Sequence, residues 1–484
     1  MEATVSQGVK TIPISPNTKL EEILRIYDAQ QKNRQNVKNS TAKQRKAKLK
    51  KYIATVMEFR KKIEDAVYAD LHKNAIETGY TEIYNTVAEA RYAIENLDDW
   101  MAGHEVDTPL VYIGSSSKVV YEPKGVTLIL TPWNYPFQMP GQHLVSAIAA
   151  GCTAIIKPSE FTPHTSAVVK ELLAKVFDEN EVAVIEGDHT VSTELLKLKF
   201  DHIHFTGSPA VGKVVMKAAA EHLTSVTLEL GGKSPTIIDD SANINAAVKK
   251  ITWGKFLNCG QTCIAPDYIL IDEKKKDEFI EKLSANITKV FGDDPHKSND
   301  MGRIINSRHF SRIKGILDDA VKRGAQVKTF GTADDSDNFM PPTLLWNVAP
   351  DSRVMQEEIF GPLLPIVAYK TKEEAINIIS GKEKPLALYI FSGSGKNQEF
   401  WLHNTTAGGT CINDNLVHIS QPNLPFGGVN NSGIGKSTGF YGFREFSNER
   451  AVLKALHGGS VVQPLWQPYG KLAKTVTDFM IKYL

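Results

Sequence analysis

From Lys19 to about Trp100 apolar residues recur at helical spacing among abundant Lys, Glu and Ala, and Gly79 is the one breaker. That pattern predicts three or four amphipathic helices. After Thr108 the texture changes to short β-rich runs, Leu110 to Ile113, Lys118 to Glu122 and Val126 to Leu130. These read as a strand pair followed by a buried strand. Apolar strands then alternate with helices as far as Leu230, the sequence form of βαβ units and a largely parallel sheet. Ala154 to Ile156 is a strand ending at Lys157. Thr162 and Pro163 open a helix with the stripe Val168, Val169, Leu172, Leu173 and Val176. Val182 to Ile185 and His202 to Phe205 are further strands, with a short helix at Glu194 to Leu198 between them.

A second alternation follows. Strands are expected at Thr236 to Ile238, Tyr268 to Ile271, and near Leu344, Pro365 and Leu388. Helices are expected at Ala246 to Leu257, Lys276 to Val290 and Arg308 to Arg323. From Phe426 the chain is Gly-rich and then irregular, and Gly470 to Leu484 reads as one amphipathic helix. The fold class is therefore α/β: a Rossmann-like dinucleotide-binding domain, a second α/β domain and a small β bridging element. The expected divisions are a helical part at 1–108, a β bridge at 109–124, the dinucleotide-binding domain at 125–232, the catalytic domain at 233–414 and a bridging tail at 415–484.

At 484 residues the chain exceeds one ordinary core, and 42% hydrophobic with 23% charged residues is the composition of a folded globular protein. Fifty-six basic against fifty-five acidic residues give a formal charge of +1, which argues against nucleic acid as the main partner. Four cysteines form neither a disulfide framework nor a zinc motif, so a reducing, cytoplasmic setting and no metal are expected. Met1 to Pro16 lacks a secretory pattern. No window approaches the roughly 20 apolar residues that span a bilayer.

Chemistry concentrates at strand ends and tight turns. In Asn258-Cys-Gly-Gln-Thr-Cys263 a helical run breaks at Gly260 just before a cysteine. A nucleophile needs such a turn, where backbone amides meet a developing oxyanion; the other reading of Cys263 is an inert buried thiol. Cys259 reads as a packing residue. Glu229 interrupts an apolar strand before Gly231-Gly232. It is either a desolvated general base or a buried partner of a backbone amide or of Lys233. Asn134 follows the strand Val126 to Leu130, as an uncharged oxyanion donor or as a turn former before Pro136. Gly207-Ser208 lies between a strand and a helix, where a helix N-terminus can receive a pyrophosphate. Lys157 and Glu160 end another strand, as ribose and phosphate contacts or as surface punctuation.

Together these segments resemble the aldehyde dehydrogenase superfamily over about residues 20 to 455. The likeness is greatest to its class-three, fatty and aromatic aldehyde branch, through Trp133-Asn-Tyr-Pro136, Ile251-Thr-Trp-Gly254, Asn258 to Tyr268 and Leu424-Pro-Phe-Gly-Gly428. The resemblance implies Cys263 as nucleophile, Glu229 as general base and Asn134 as oxyanion donor. Cofactor contacts fall on Trp133, Lys157, Glu160, Gly207, Ser208, Val211, Gly212, Glu358 and Phe360, and the substrate pocket on Tyr135 and Trp253. It implies NAD(P)-dependent oxidation of medium- or long-chain aliphatic or aromatic aldehydes to acids, through a thiohemiacetal and a thioester. NAD is the expected cofactor, NADP a further possibility, and a homodimer the expected assembly.

The chain departs from compact class-three members by an N-terminal extension of roughly twenty residues. Its C-terminal helix is expected to pack on the body or on a second subunit, with peripheral membrane contact as the alternative. Two competing classes remain: a cofactor-independent cysteine hydrolase using Cys263 and Glu229, and a binding protein that kept the fold without the chemistry.

Overall fold

The computed structural model describes residues 16–483. The readings of residues 1–15, both the missing secretory pattern and the extension, lie outside the described residues. The helical start is Leu20–Lys38, Ala42–Leu71, Ala75–Thr78 and Asn85–Ala102. Between the last two, Gly79–Tyr84 forms a π-helical turn.

Two parallel sheets carry the architecture. The first runs in spatial order Ser225–Leu230, His202–Gly207, Val126–Leu130, Thr153–Lys157, Val182–Val184, all parallel, with Gly433–Ile434 antiparallel at the edge. Val126–Leu130 and Thr153–Lys157 are buried at every position because helices cover both faces. From Val126–Leu130 the chain steps outward through two strands. It then crosses to the other side for His202–Gly207. That reversal is the topological switch point at which open α/β sheets bind ligands, beyond the carboxyl ends of the strands.

The second sheet runs Gln326–Thr329, Thr343–Trp346, Leu363–Tyr369, Tyr268–Asp272, Pro235–Ile238, Ala387–Phe391, Gly409–Ile412, parallel except for the first pair. A third, antiparallel sheet joins His104–Val106, Ser116–Pro123 and Ser447–Lys454.

Four expectations need correction. Leu110 to Ile113 is not a strand: Leu110–Tyr112 is a single 3₁₀ turn behind Pro109, exposed and outside any ladder. The ladder beside Ser116–Pro123 is taken instead by His104–Val106 and by Ser447–Lys454, more than three hundred residues away in sequence. The helix expected at Glu194 to Leu198 is His189–Leu196, started by the Asp188 side chain accepting from Thr190 N. The tail is not irregular throughout, since Ser447–Lys454 is an eight-residue strand. Finally, Lys471–Tyr483 is a helix, yet only Ala473 is buried on it, so it does not pack its apolar side on the body. Among the described residues no helix is long and apolar enough to cross a membrane.

Candidate active site

The helix Ile244–Phe256 is followed by three consecutive left-handed residues, Asn258 (φ 51°), Cys259 (φ 55°) and Gly260 (φ 75°). Gly260 must be glycine, because a Cβ there would lie 2.4 Å from the Gly361 carbonyl oxygen. The two non-glycine residues are held by bonds around them. Asn258 N donates to Glu77 Oε1 at 2.8 Å, and Asn258 Nδ2 donates to the carbonyls of Asn134 (2.7 Å) and Gln261 (3.1 Å). Gln261 Nε2 donates to Arg303 O at 2.9 Å, and its Oε1 accepts from Ile305 N at 3.0 Å. This loop delivers Cys263 partly open, whereas Cys259 is fully buried and packs.

Burial, then the facing carboxyls of Glu358 and Glu229, push the Cys263 thiol up to about 12, while the N–H groups of Cys263 and Ile264 pull the other way. At rest it is a protonated thiol. Asn134, buried beside it, donates Nδ2 to Gln261 O at 3.0 Å. Its own carbonyl accepts from Lys73 Nζ at 3.2 Å. Lys73 is in turn paired with Glu82 at 2.6 Å, both fully buried. Glu82 Oε2 accepts from Phe137 N and Gln138 N, so the turn carrying Asn134 is fixed at both ends.

Glu229 stands near the end of Ser225–Leu230 and is pushed up to about 8 by burial. Its Oε1 accepts from Ser437 Oγ at 2.9 Å, and its Oε2 is buried without a partner among the described residues. Lys233 is not its partner. Lys233 forms a buried ion pair with Asp267 and donates to Val354 O (2.6 Å) and Glu357 O (3.0 Å). Asp267 Oδ1 accepts from Ile359 N at 2.9 Å, so this pair fixes the segment bearing Glu358.

Two cavities meet at Cys263. One is an apolar funnel walled by Tyr80, Tyr84, Tyr135, Met139, Trp253, Leu257 and Leu416. Tyr135 is anchored by its hydroxyl to Thr262 Oγ1 at 2.7 Å, and Trp253 Nε1 donates to Tyr80 OH at 3.1 Å. The other is a cleft over the switch point, where Trp133, Asn134, Gly207, Ser208, Glu229, Glu358 and Phe360 line the part nearest Cys263. Lys157, Glu160, Ser208 and Val211 line its continuation. Lys157 Nζ donates to Glu160 Oε2 at 3.0 Å, and Ser208 caps the helix Pro209–Ala220. Trp133 meets the Phe360 ring edge-on, centroids 5.3 Å apart. Gly212 is not among the residues lining the cleft: a Cβ there would lie 2.7 Å from Leu230, so it serves close helix–strand packing.

The cleft has the shape and donor set for a dinucleotide: a switch-point location, a helix N-terminus, and half-buried Glu358, whose Oε1 accepts from Gly232 N at 3.2 Å. Residues 7–452 match the aldehyde dehydrogenase family. The chain belongs to that family. It is 44% identical to the 4,4'-diaponeurosporen-aldehyde dehydrogenase of Staphylococcus aureus (strain NCTC 8325 / PS 47), over 84% of this chain and 88% of that one. It is 45% identical to the dimeric NADP-preferring aldehyde dehydrogenase of Rattus norvegicus, over 81% of this chain and 86% of that one. The structure of the substrate-bound state of Staphylococcus aureus AldH superposes with a TM-score of 0.90 at 40% identity, covering 95% of this chain and 99% of that one. As an aldehyde dehydrogenase the chain is an oxidoreductase acting on aldehydes, with cofactor of the NAD(P) type. The α/β fold class, the family resemblance and its class-three character stand accordingly.

Several parts of this aldehyde dehydrogenase site carry little signal in the sequence. Ser437 lay in the segment read only as Gly-rich, although Ser437 is itself buried. Lys73, Glu77 and Glu82 lay in an ordinary-looking helical stretch. Their signal was present but faint: three ionisable residues around Gly79, the one breaker. The π turn there puts Tyr80 and Tyr84 into the funnel, while Glu82 reaches the Asn134 turn. His309 and Arg312, lining the cleft from the helix Ser307–Lys322, carried no motif.

Proposed function

We propose that this chain oxidises apolar aldehydes, medium- or long-chain aliphatic or aromatic, to carboxylic acids through a covalent thioester on Cys263. The observation that carries the reading is that Cys263 lines both the apolar funnel and the dinucleotide-sized cleft. An aldehyde in the funnel and a cofactor in the cleft converge on one sulfur.

Cys263 Sγ adds to the carbonyl carbon after its proton passes to Glu229, whose raised pKa suits it to a proton accepted near neutrality. The oxyanion is received by the free N–H of Asn134 Nδ2 and by the Cys263 backbone N–H. A nicotinamide cofactor, when bound, supplies the two-electron acceptor that turns the thiohemiacetal into a thioester. Glu229 gives that proton up to solvent and then takes one from water, and the hydroxide adds to the thioester carbonyl and expels Cys263 as the thiolate, releasing the acid. Trp133, Lys157, Glu160, Gly207, Ser208, Val211, Glu358 and Phe360 would hold the cofactor. Glu160 beside the ribose position disfavours a 2′-phosphate, so NAD is the preferred form.

The exposed apolar residues Leu110, Tyr112, Ile113, Leu453 and Leu456, on and beside the three-stranded sheet, support a homodimer. Four free cysteines support a cytoplasmic setting. The exposed Leu472, Phe479 and Tyr483 of the C-terminal helix are assigned to the partner subunit, with a membrane surface as the other candidate.

The decisive assay is purified protein with a panel of aldehydes, with NAD, with NADP and with neither, following reduced cofactor. Turnover of long apolar aldehydes is expected with NAD and at a lower rate with NADP. Ester hydrolysis without cofactor and no cofactor reduction on any aldehyde would refute the reading in favour of a cysteine hydrolase.

A further inference from the structure

Beside the funnel lies a second chamber of different chemistry, and the two share Tyr84, Asn85, Gln138, Ile419 and Ser420 as a common wall. The helix Asn85–Ala102 links them. Asn85, Ala88, Glu89, Tyr92 and Glu95 recur every three or four residues along one face and line the chamber. That face extends for roughly 15 Å at about 1.5 Å per residue. A strap crosses above it, with Ser420 Oγ donating to Asn85 Oδ1 at 3.1 Å and Tyr92 OH donating to Asn423 Oδ1 at 2.6 Å.

Three polar side chains in this chamber are more than nine-tenths buried and keep hydrogen-bonding capacity unused: Glu89 at 7% exposure, Gln138 at 3% and Gln142 at 5%. Glu89 Oε1 accepts from Gly439 N at 2.6 Å, while its Oε2 has no bond among the described residues. Gln138 Nε2 donates to Gln142 Oε1 at 3.0 Å. Whichever way this amide pair is turned, it leaves one amide oxygen and one NH₂ group uncommitted. The uncommitted atoms of these three side chains are not sealed inside the protein but reach the chamber, where a ligand's hydrogen-bonding groups can meet them. The chamber's charge-bearing groups are the carboxyls of Glu89, which burial pushes up to about 7, and Glu95 against the one guanidinium of Arg91, and the uncommitted Glu89 Oε2 is placed to accept from a donor.

We propose that this chamber binds the far end of an elongated aldehyde, a hydrogen-bond-donating hydroxyl or ammonium group, while the apolar middle fills the funnel and the carbonyl reaches Cys263. The proposal rests on the reading of Cys263 and the funnel given above. It names the substrate class as ω-substituted chains rather than plain hydrocarbons.

The test is kcat/KM for straight-chain aldehydes of increasing length, each in plain, ω-hydroxy and ω-ammonium form, on the full chain and on Glu89→Gln and Gln142→Leu. Above the length that spans the funnel, the substituted forms are expected to exceed the plain form by about tenfold through KM, the scale of one hydrogen bond to a charged group. Glu89→Gln keeps an oxygen for Gly439 N and should erase the ammonium preference, and Gln142→Leu should weaken the hydroxyl preference. Short plain aldehydes should turn over unchanged in both, which shows that the variants are folded. Equal treatment of all three forms at every length, or preferences intact in both variants, overturns the proposal. Calorimetric binding of long diols against the matching alkanols reads the chamber without turnover. A diol preference without any aldehyde oxidation would sink the reading of Cys263 and keep the chamber, whereas equal binding would sink the chamber.

Discussion

Ser437 Oγ donates to Glu229 Oε1 at 2.9 Å across 208 residues of chain, tying the Gly-rich C-terminal segment to the acid near the end of the strand Ser225–Leu230. The bond lowers a pKa that burial has raised. Ser437→Ala removes the lowering contribution, so the Glu229 midpoint should move up. Activity at neutral pH should fall severalfold while activity at high pH is largely retained. A pH–rate profile of the variant against the parent checks this, and an unshifted midpoint would contradict it.

In the proposed mechanism Glu229 accepts a proton only when deprotonated, and burial pushes it up to about 8. Its proton-accepting fraction therefore grows as pH rises through that value and is small well below it. The rate of thioester hydrolysis should rise with pH across that midpoint and then level off. Stopped-flow measurement of the step after the cofactor-reduction burst reads it, and a rate that falls with rising pH would be the contrary result.

The Lys73–Glu82 pair is fully buried, and each member has further partners on the Asn134 turn. Removing one charge leaves the other desolvated, which typically costs about 3–5 kcal/mol. Lys73→Met should lower the free energy of unfolding by that order, with a matching fall in the denaturant midpoint. Any residual folded protein should show reduced kcat, because the Asn134 carbonyl loses one of its two donors. Equilibrium unfolding followed by intrinsic fluorescence measures the first effect.

Glu160, which accepts from Lys157, faces the cleft where a ribose would lie. Glu160→Gln removes the like-charge repulsion against a 2′-phosphate and leaves Lys157 free to attract it. The kcat/KM ratio of NADP to NAD should rise by about tenfold, a difference of about 1.4 kcal/mol. An unchanged ratio would place the ribose elsewhere.

Much of the fold was legible because its signals are local. Buried runs such as Val126–Leu130 and Thr153–Lys157 announce a covered parallel sheet, and each ends on a residue that lines the cleft or adjoins one. The catalytic candidates were legible as interruptions: Glu229 in an apolar strand and Cys263 behind a glycine turn. What stayed hidden depends on long-range pairing. Leu110 to Ile113 has strand composition but finds no partner, because Ser447–Lys454 occupies the ladder beside Ser116–Pro123. Ser437, Glu77 and the left-handed Asn258 acquire meaning only through neighbours distant in sequence. The alternative partner for Glu229, Lys233, was plausible from proximity alone, yet Asp267 claims that ammonium in the folded chain.

The most direct test of a thioester on Cys263 is a trapping experiment. Glu229→Gln, mixed with a long apolar aldehyde and NAD, must lose the Cys263 proton to solvent instead, so it should reduce cofactor more slowly than the parent, stop at an amount stoichiometric with enzyme, and stall at the thioester. Intact-mass analysis and peptide mapping of the stalled protein should find the acyl group on Cys263. Steady turnover with no adduct, or an acyl group on any other residue, would contradict the account.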